Sequence, residues 1–247
     1  MAKFQNIDPE LLRSFNEAIQ ATLANFQNVV EPYGKAIQNF AKSLQDVPES
    51  TKILAEYGWY LPIDFHPLTV NYYADELKKR NFEFVDKEMV ALIDNEIVNI
   101  EAELVGKFPK REAALRSAFR AHNDQEYYLS IPVFYAQTEG ICTEITGFRF
   151  FSIQKGQPAT AAWAENLQRV SIMDIVLEPL KHTGIARQKQ DLNHPLGINR
   201  HDVLHGDSMD YGEDKINSYK ALSLLNYLGE TVYLAKQDFD VKNQKSF

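Results

Sequence analysis

The sequence predicts an all-α protein. Apolar residues recur at helical spacing in several long segments, and runs with the alternation of a strand are scarce. Only 11 glycines occur in 247 residues, below the usual share of about 7%. Hydrophobic residues make up 45% of the chain and aromatics 12%. That supply fills a sizeable core and excludes a disordered or collagen-like chain. The formal charge is −8, from 26 Lys and Arg against 34 Asp and Glu. Coating nucleic acid non-specifically needs surplus cations to neutralise phosphates, so this balance argues against it while leaving room for a local phosphate site.

The elements follow in order. Asp8 and Pro9 form an N-cap and first-turn pair, after which Leu12, Phe15, Ile19, Leu23 and Phe26 keep helical spacing. Pro32 and Gly34 predict a break before a second helix over 36–44. Residues 48–66, with Gly58, Trp59, Tyr60 and Pro62, read as a short helix and an aromatic loop. A helix is expected over 86–104, with Met89, Ile93, Ile97, Ile100 and Leu104 on one stripe. It lies in the acidic part of the chain, where seven acids between Glu83 and Glu103 face a single Lys87. The sign then reverses at Lys107, Lys110, Arg111, Arg116 and Arg120, with only Glu112 opposing. Arg116 and Arg120 share one helical face. That face is either an ordinary solvated surface or a basic strip that guides an RNA backbone.

Residues 127–145 read as a long apolar helix containing Pro132, and 147–157 as a hairpin arm or loop. Helices are expected at 158–169 and 170–182, a loop at 183–199, and a final helix at 213–236 with Ile216, Tyr219, Leu222, Leu225 and Leu228 inward. A composition shift suggests an N-terminal helical region, 1–105, a second unit, 106–237, and a polar tail, 238–247. Cys142 is alone, so neither a disulfide framework nor a Cys-based zinc cluster can be built within the chain. The opening decapeptide lacks the apolar core of a signal peptide, and the most apolar stretch, 127–136, is interrupted by Ser130 and Pro132. The expectation is a cytoplasmic protein with no membrane partner.

Phosphate-binding, dinucleotide, nucleophile-elbow and zincin signatures are absent from the sequence. Chemistry-bearing residues concentrate instead at 199–212, which hold Asn199, Arg200, His201, Asp202, His205, Asp207 and Asp210 beside Gly206 and Gly212. Three readings compete. In the first, Arg200 and His205 form an R-x4-H pair. The guanidinium grips a phosphodiester through parallel hydrogen bonds, and the imidazole exchanges a proton near neutral pH, which together cleave RNA without a metal. Five residues turn an ideal helix through about 500°, leaving the two side chains roughly 140° apart, so a partner chain can complete the pocket. In the second, His201 and His205 take a metal, or His201–Asp202 is the doublet of an HD-type phosphohydrolase drawing on His122, His182 and Asp210. In the third, Arg200 pairs with a carboxylate, His205 is a satisfied core histidine, and Gly206 caps a helix.

The block from Asn199 to Gly206, opening the final helical region, resembles the R-x4-6-H signature of the HEPN superfamily, in which the residue after the Arg is characteristically polar, as His201 is. The segments 127–145 and 213–232 look like further core helices of the same domain, and the resemblance spans roughly residues 110–235. It implies a helical bundle that dimerises. Many such proteins are metal-independent endoribonucleases of bacterial toxin–antitoxin or phage-defence systems, leaving 2′,3′-cyclic phosphate and 5′-hydroxyl ends. Others are catalytically silent interaction modules. On this resemblance Arg200 and His205 are catalytic, with His201, Asn199 and Glu139 supporting. The partners are RNA, a second copy of the chain and an antitoxin or defence component, and no cofactor is needed. Each supporting residue also has a plainer role. Glu139 can be a surface carboxylate and Asn199 a helix cap, while Tyr211 fits a packed turn and Trp59 and Trp163 the core or an interface.

Overall fold

A computed structural model describes residues 10, 13, 17, 31–62, 65–167, 177–182 and 199–244. The fold is all-α. In chain order the described helices are α1 (Glu31–Glu56), α2 (Pro67–Lys78), α3 (Phe82–Lys107), α4 (Glu112–Asn123), α5 (Tyr127–Thr146), α6 (Ala161–Leu167), α7 (Arg200–His205), α8 (Lys215–Tyr227) and α9 (Tyr233–Gln244). Short 3-10 turns occupy Pro109–Arg111 and Glu178–Leu180. No described helix is long and apolar enough to cross a membrane.

Local chemistry sets many of the ends. Pro67 supplies the first turn of α2 while His66 Nδ1 accepts from the Leu68 amide. Asp214 caps α8 by accepting from the Ile216 amide at 2.9 Å. After α5, strands β1 (Ile153–Gln154) and β2 (Gln157–Pro158) pair antiparallel around Lys155 and Gly156. Both turn residues have positive φ, 52° and 80°, as a two-residue hairpin turn of matching twist requires. The arm expected over 147–157 is therefore present.

Other expectations are corrected. α1 runs unbroken through Gly34 and Pro48, where a break and a separate short helix were expected. Val47, Ser50, Leu54 and Ala55 bury the face that spans Pro48, and that packing outweighs the local preference. α9 continues to Gln244, past the expected end at Lys236 and into the tail, because Ala235 is buried and Phe239 packs against the core. The residues before Glu31 that carry the first amphipathic stripe, the loop over 183–198 and most of the helix expected at 170–182 lie outside the described residues. Within that last range, 178–180 is a 3-10 turn.

Two apolar clusters make the core. One gathers Leu115 and Phe119 of α4, Ile131, Phe134 and Ile141 of α5, Leu222 and Leu225 of α8, and Phe150. The other joins Leu54, Trp59, Leu77, Val85 and Met89 to Tyr219 of α8. Ile93 of α3 packs on both, and the stripe expected there faces inward. α8 is the axis, with every residue from Ser218 to Tyr227 buried.

Pro132 lies inside α5 and has no N–H to give the Tyr128 carbonyl one turn earlier. Tyr211 Oη donates to that carbonyl at 3.0 Å instead, with its ring 5.0 Å from the Tyr128 ring. The packed-turn reading of Tyr211 thus describes its surroundings. Trp59 is a core residue, 1% exposed, and its Nε1 donates to Asp86 at 2.8 Å.

His122 is buried, 3% exposed, in a polar thread through the core. Its Nδ1 is 2.7 Å from Ser218 Oγ, which is 2.8 Å from Ser130 Oγ. Burial pushes the imidazole down to about 4, against a smaller opposing pull from Asp94. The neutral ring is therefore favoured in the fold, while the unfolded chain titrates near 6.5. Its contribution is complete above pH 6.5 and is lost as pH falls from there towards 4. Urea unfolding is expected to show wild type losing about 2–3 kcal/mol more than His122→Asn between pH 7.5 and 4.5. Parallel pH profiles for the two proteins would refute this.

Candidate functional site

The outer face of α5, the chain leading into the hairpin, and α7 enclose an open hollow of about 480 Å³, lined by Arg111, Tyr135, Glu139, Gly140, Thr143, Arg149, Arg200 and Leu204. Three guanidiniums thus converge from distant parts of the sequence. Arg111 comes from the turn before α4 and lies against α5 at Gly140. A Cβ at Gly140 would stand 2.3 Å from its Nη1, so only glycine admits this approach. Arg111 is engaged, its Nε donating to Glu144 Oε2 and its Nη1 to Gln137 Oε1, both at 3.2 Å. Arg149 is exposed and, among the described residues, has no ion-pair partner.

Arg200 is the best positioned of the three. Its Cζ stands 5.2 Å from the centroid of the Phe151 ring, a stacking contact that suits a guanidinium. Phe151 is itself fixed, since its amide donates to Glu139 Oε2 at 3.0 Å. Arg200 Nε is buried and has no hydrogen-bond partner. No described carboxylate lies within ion-pair distance of this side chain, so the carboxylate pairing considered for it is not found among the described residues. Glu139 shares the hollow with Arg200 but spends its carboxylate on the Phe151 amide and makes no ion pair with the guanidinium.

α7 is a single capped turn and a half. Asn199, 2% exposed, accepts from the His201 amide through Oδ1 at 2.7 Å, and its Nδ2 is buried without a partner. At the other end Gly206 adopts φ 76° and closes the helix in the left-handed conformation. Both caps match the sequence signals. Within the helix the four-residue spacing sorts the side chains. Arg200 and Leu204 line the hollow, whereas His201 and His205 are exposed, their rings tilted against each other with centroids 4.2 Å apart. His205 is not a core histidine, and within one chain it does not join Arg200 in the hollow.

The remaining candidates lie elsewhere. Arg116 is paired to Glu112 at 2.8 Å and to Glu101 at 3.4 Å, so acids on α3 and α4 already share its charge. Arg120 is exposed and has no ion pair among the described residues. The residues offered for an HD-type centre do not gather. His122 is in the core, His182 Nε2 is 2.6 Å from Glu178, and Asp210 accepts from Ser208. The described residues contain no group of three or more His, Cys, Asp or Glu that could hold a metal.

Sequence reasoning missed Arg149 and Phe151 as site residues. Their signal, an arginine set among aromatics in 147–151, read only as part of the arm. With two guanidiniums unpaired, the hollow can hold an oxyanion such as a phosphodiester. Compared with models of protein families, with curated proteins and with solved structures, the chain finds no match.

The Asn199 cap is open to a direct test. Asn199→Ala should lower unfolding stability by about 1 kcal/mol, and Asn199→Ser, which restores the acceptor, should recover part of the loss. Equal stability of the alanine and wild-type proteins in urea would remove the cap from the account.

Proposed function

We propose that this protein is a HEPN-like, metal-independent endoribonuclease that acts as a cytoplasmic toxin or phage-defence effector and works as a homodimer. One observation carries the reading. Arg200 of the R-x4-H block is held over Phe151 in a hollow with Arg149, unpaired and with a buried donor to spare. A phosphodiester matches the two unpaired guanidiniums in charge. Arg200 and Arg149 take its non-bridging oxygens, and Arg200 stabilises the extra negative charge of the pentacoordinate transition state. An imidazole removes the ribose 2′-hydroxyl proton as the 2′-oxygen bonds to phosphorus. The bond to the 5′-oxygen breaks, and that oxygen receives a proton, giving a 2′,3′-cyclic phosphate and a 5′-hydroxyl. Guanidinium and imidazole suffice for these steps.

His205 of the same chain faces away from the hollow. The reading therefore has the partner subunit's His205 complete each pocket. The same orientation favours a second reading, a silent HEPN-like module that binds RNA or a partner through its arginines without cutting.

Labelled RNA incubated in EDTA separates the two. The endoribonuclease gives cyclic-phosphate ends under these conditions. Arg200→Ala and His205→Ala each lower the rate at least about a hundredfold with the helical circular dichroism intact, and Arg149→Ala weakens RNA binding. A mixed dimer of the two inactive chains recovers a substantial part of wild-type activity. Binding with no cleavage of any RNA would leave the silent module. A monomer at assay concentration, or a dead mixed dimer of folded chains, would sink the shared pocket.

A further inference from the structure

The geometry points to a second role for the outward face of α7. We infer that His201 and His205 form a two-imidazole site for a divalent transition-metal ion of the zinc, nickel and copper group. Residues four apart lie one above the other on a helix. Here the two rings sit 4.2 Å apart between centroids, inclined by 47°, on an exposed face. Neither ring has a hydrogen-bond or ion-pair partner among the described residues. The Asn199 cap and Gly206 hold the turn that presents them, so the pair is organised before any ion arrives. Neutral imidazoles bind this group of ions at about 2.0–2.1 Å, whereas magnesium and calcium prefer oxygen.

With two protein ligands among the described residues, the ion keeps water at its remaining positions. Such a site loads and unloads with the free metal concentration and adds nothing essential to the fold. Its consequence rests on the endoribonuclease reading, in which His205 must exchange a proton. A ring nitrogen bonded to a metal ion cannot do so. Zinc-class ions therefore switch cleavage off at concentrations set by this pair, while the chemistry itself requires none.

The test titrates zinc alone against a chromogenic chelator, using wild type, His201→Gln and His205→Gln. Wild type is expected to bind one equivalent that each variant holds at least about tenfold more weakly, since even a residue that merely supports a metal ligand costs about 10- to 100-fold. In parallel, zinc is added to RNA cleavage started in EDTA-treated protein, each protein being compared with its own metal-free rate. The zinc needed for half-inhibition should rise at least tenfold in His201→Gln. Equal zinc binding by all three proteins overturns the site, as does an unchanged inhibition curve in His201→Gln. Stimulation by zinc overturns the inhibitory role. Loss of the equivalent in both variants, with no cleavage of RNA at all, upholds the metal site and sinks the endoribonuclease reading instead.

Discussion

A buried ammonium ties the described elements together. α8 is enclosed on every side from Ser218 to Tyr227, yet it carries Lys220, whose side chain is 8% exposed. Its Nζ lies 3.5 Å from Asp86 Oδ1 and 5.4 Å from the Trp59 ring, and the same carboxylate oxygen accepts from Trp59 Nε1. Desolvation drives the Lys220 pKa down and Asp86 pulls it back up. Removing one partner of such a group typically costs about 3–5 kcal/mol, because an uncompensated charge stays inside. The chain at 58–60 must therefore close on α8. A Cβ on Gly58 would stand 3.0 Å from the Lys220 stem, and one turn on, Ser223 Oγ accepts from the Tyr60 amide. One satisfied charge thus fixes the end of α1 and the start of α3 against the central helix.

α5 packs on that same axis and passes the order outwards to the hollow. Its inner face supplies Ile131, Phe134 and Ile141 to the core, and its outer face supplies Glu139, Gly140 and Thr143 to the site. The three arginines there differ in state rather than in kind. Arg111 is neutralised by Glu144, Arg149 is open to solvent, and Arg200 is half-buried on an aromatic floor with a donor unspent. An acidic chain can in this way keep a cationic spot without a basic surface, because the charge that matters is local and partly screened from water.

Much of this was legible in the sequence wherever one segment carried the whole signal. The apolar run at 127–145 matches α5 to within a residue, the stripe from Met89 to Leu104 faces the core, and Asn199 with Gly206 brackets α7. The continuity of α1 past Pro48 was not legible, since that proline is a local penalty and the burial that overrides it comes from tertiary packing. The hollow was hidden for a related reason. Residues 111, 149 and 200 have no spacing to read, and only the fold makes them neighbours. The splay between Arg200 and His205 was readable from helical geometry alone, and the chain keeps it.

Between α8 and α9 the helix widens into a π-turn over Leu228–Val232, where the Tyr233 amide reaches back to the Leu228 carbonyl. Such a turn holds one residue more than an α-helical path, so the two helices run on in different angular phase. Gly229 marks the tightest point, where a Cβ would stand 2.1 Å from Leu104. Beyond it Tyr233 meets Phe108 edge-on at 5.6 Å, with the Lys107 ammonium 5.8 Å from its centroid. The bulge acts as a rotational spacer. Shortening it by one residue would turn all of α9 by about 100°, carrying Tyr233 off Phe108 and Ala235 out of the core, so the length of this one turn sets the bearing of everything that follows it.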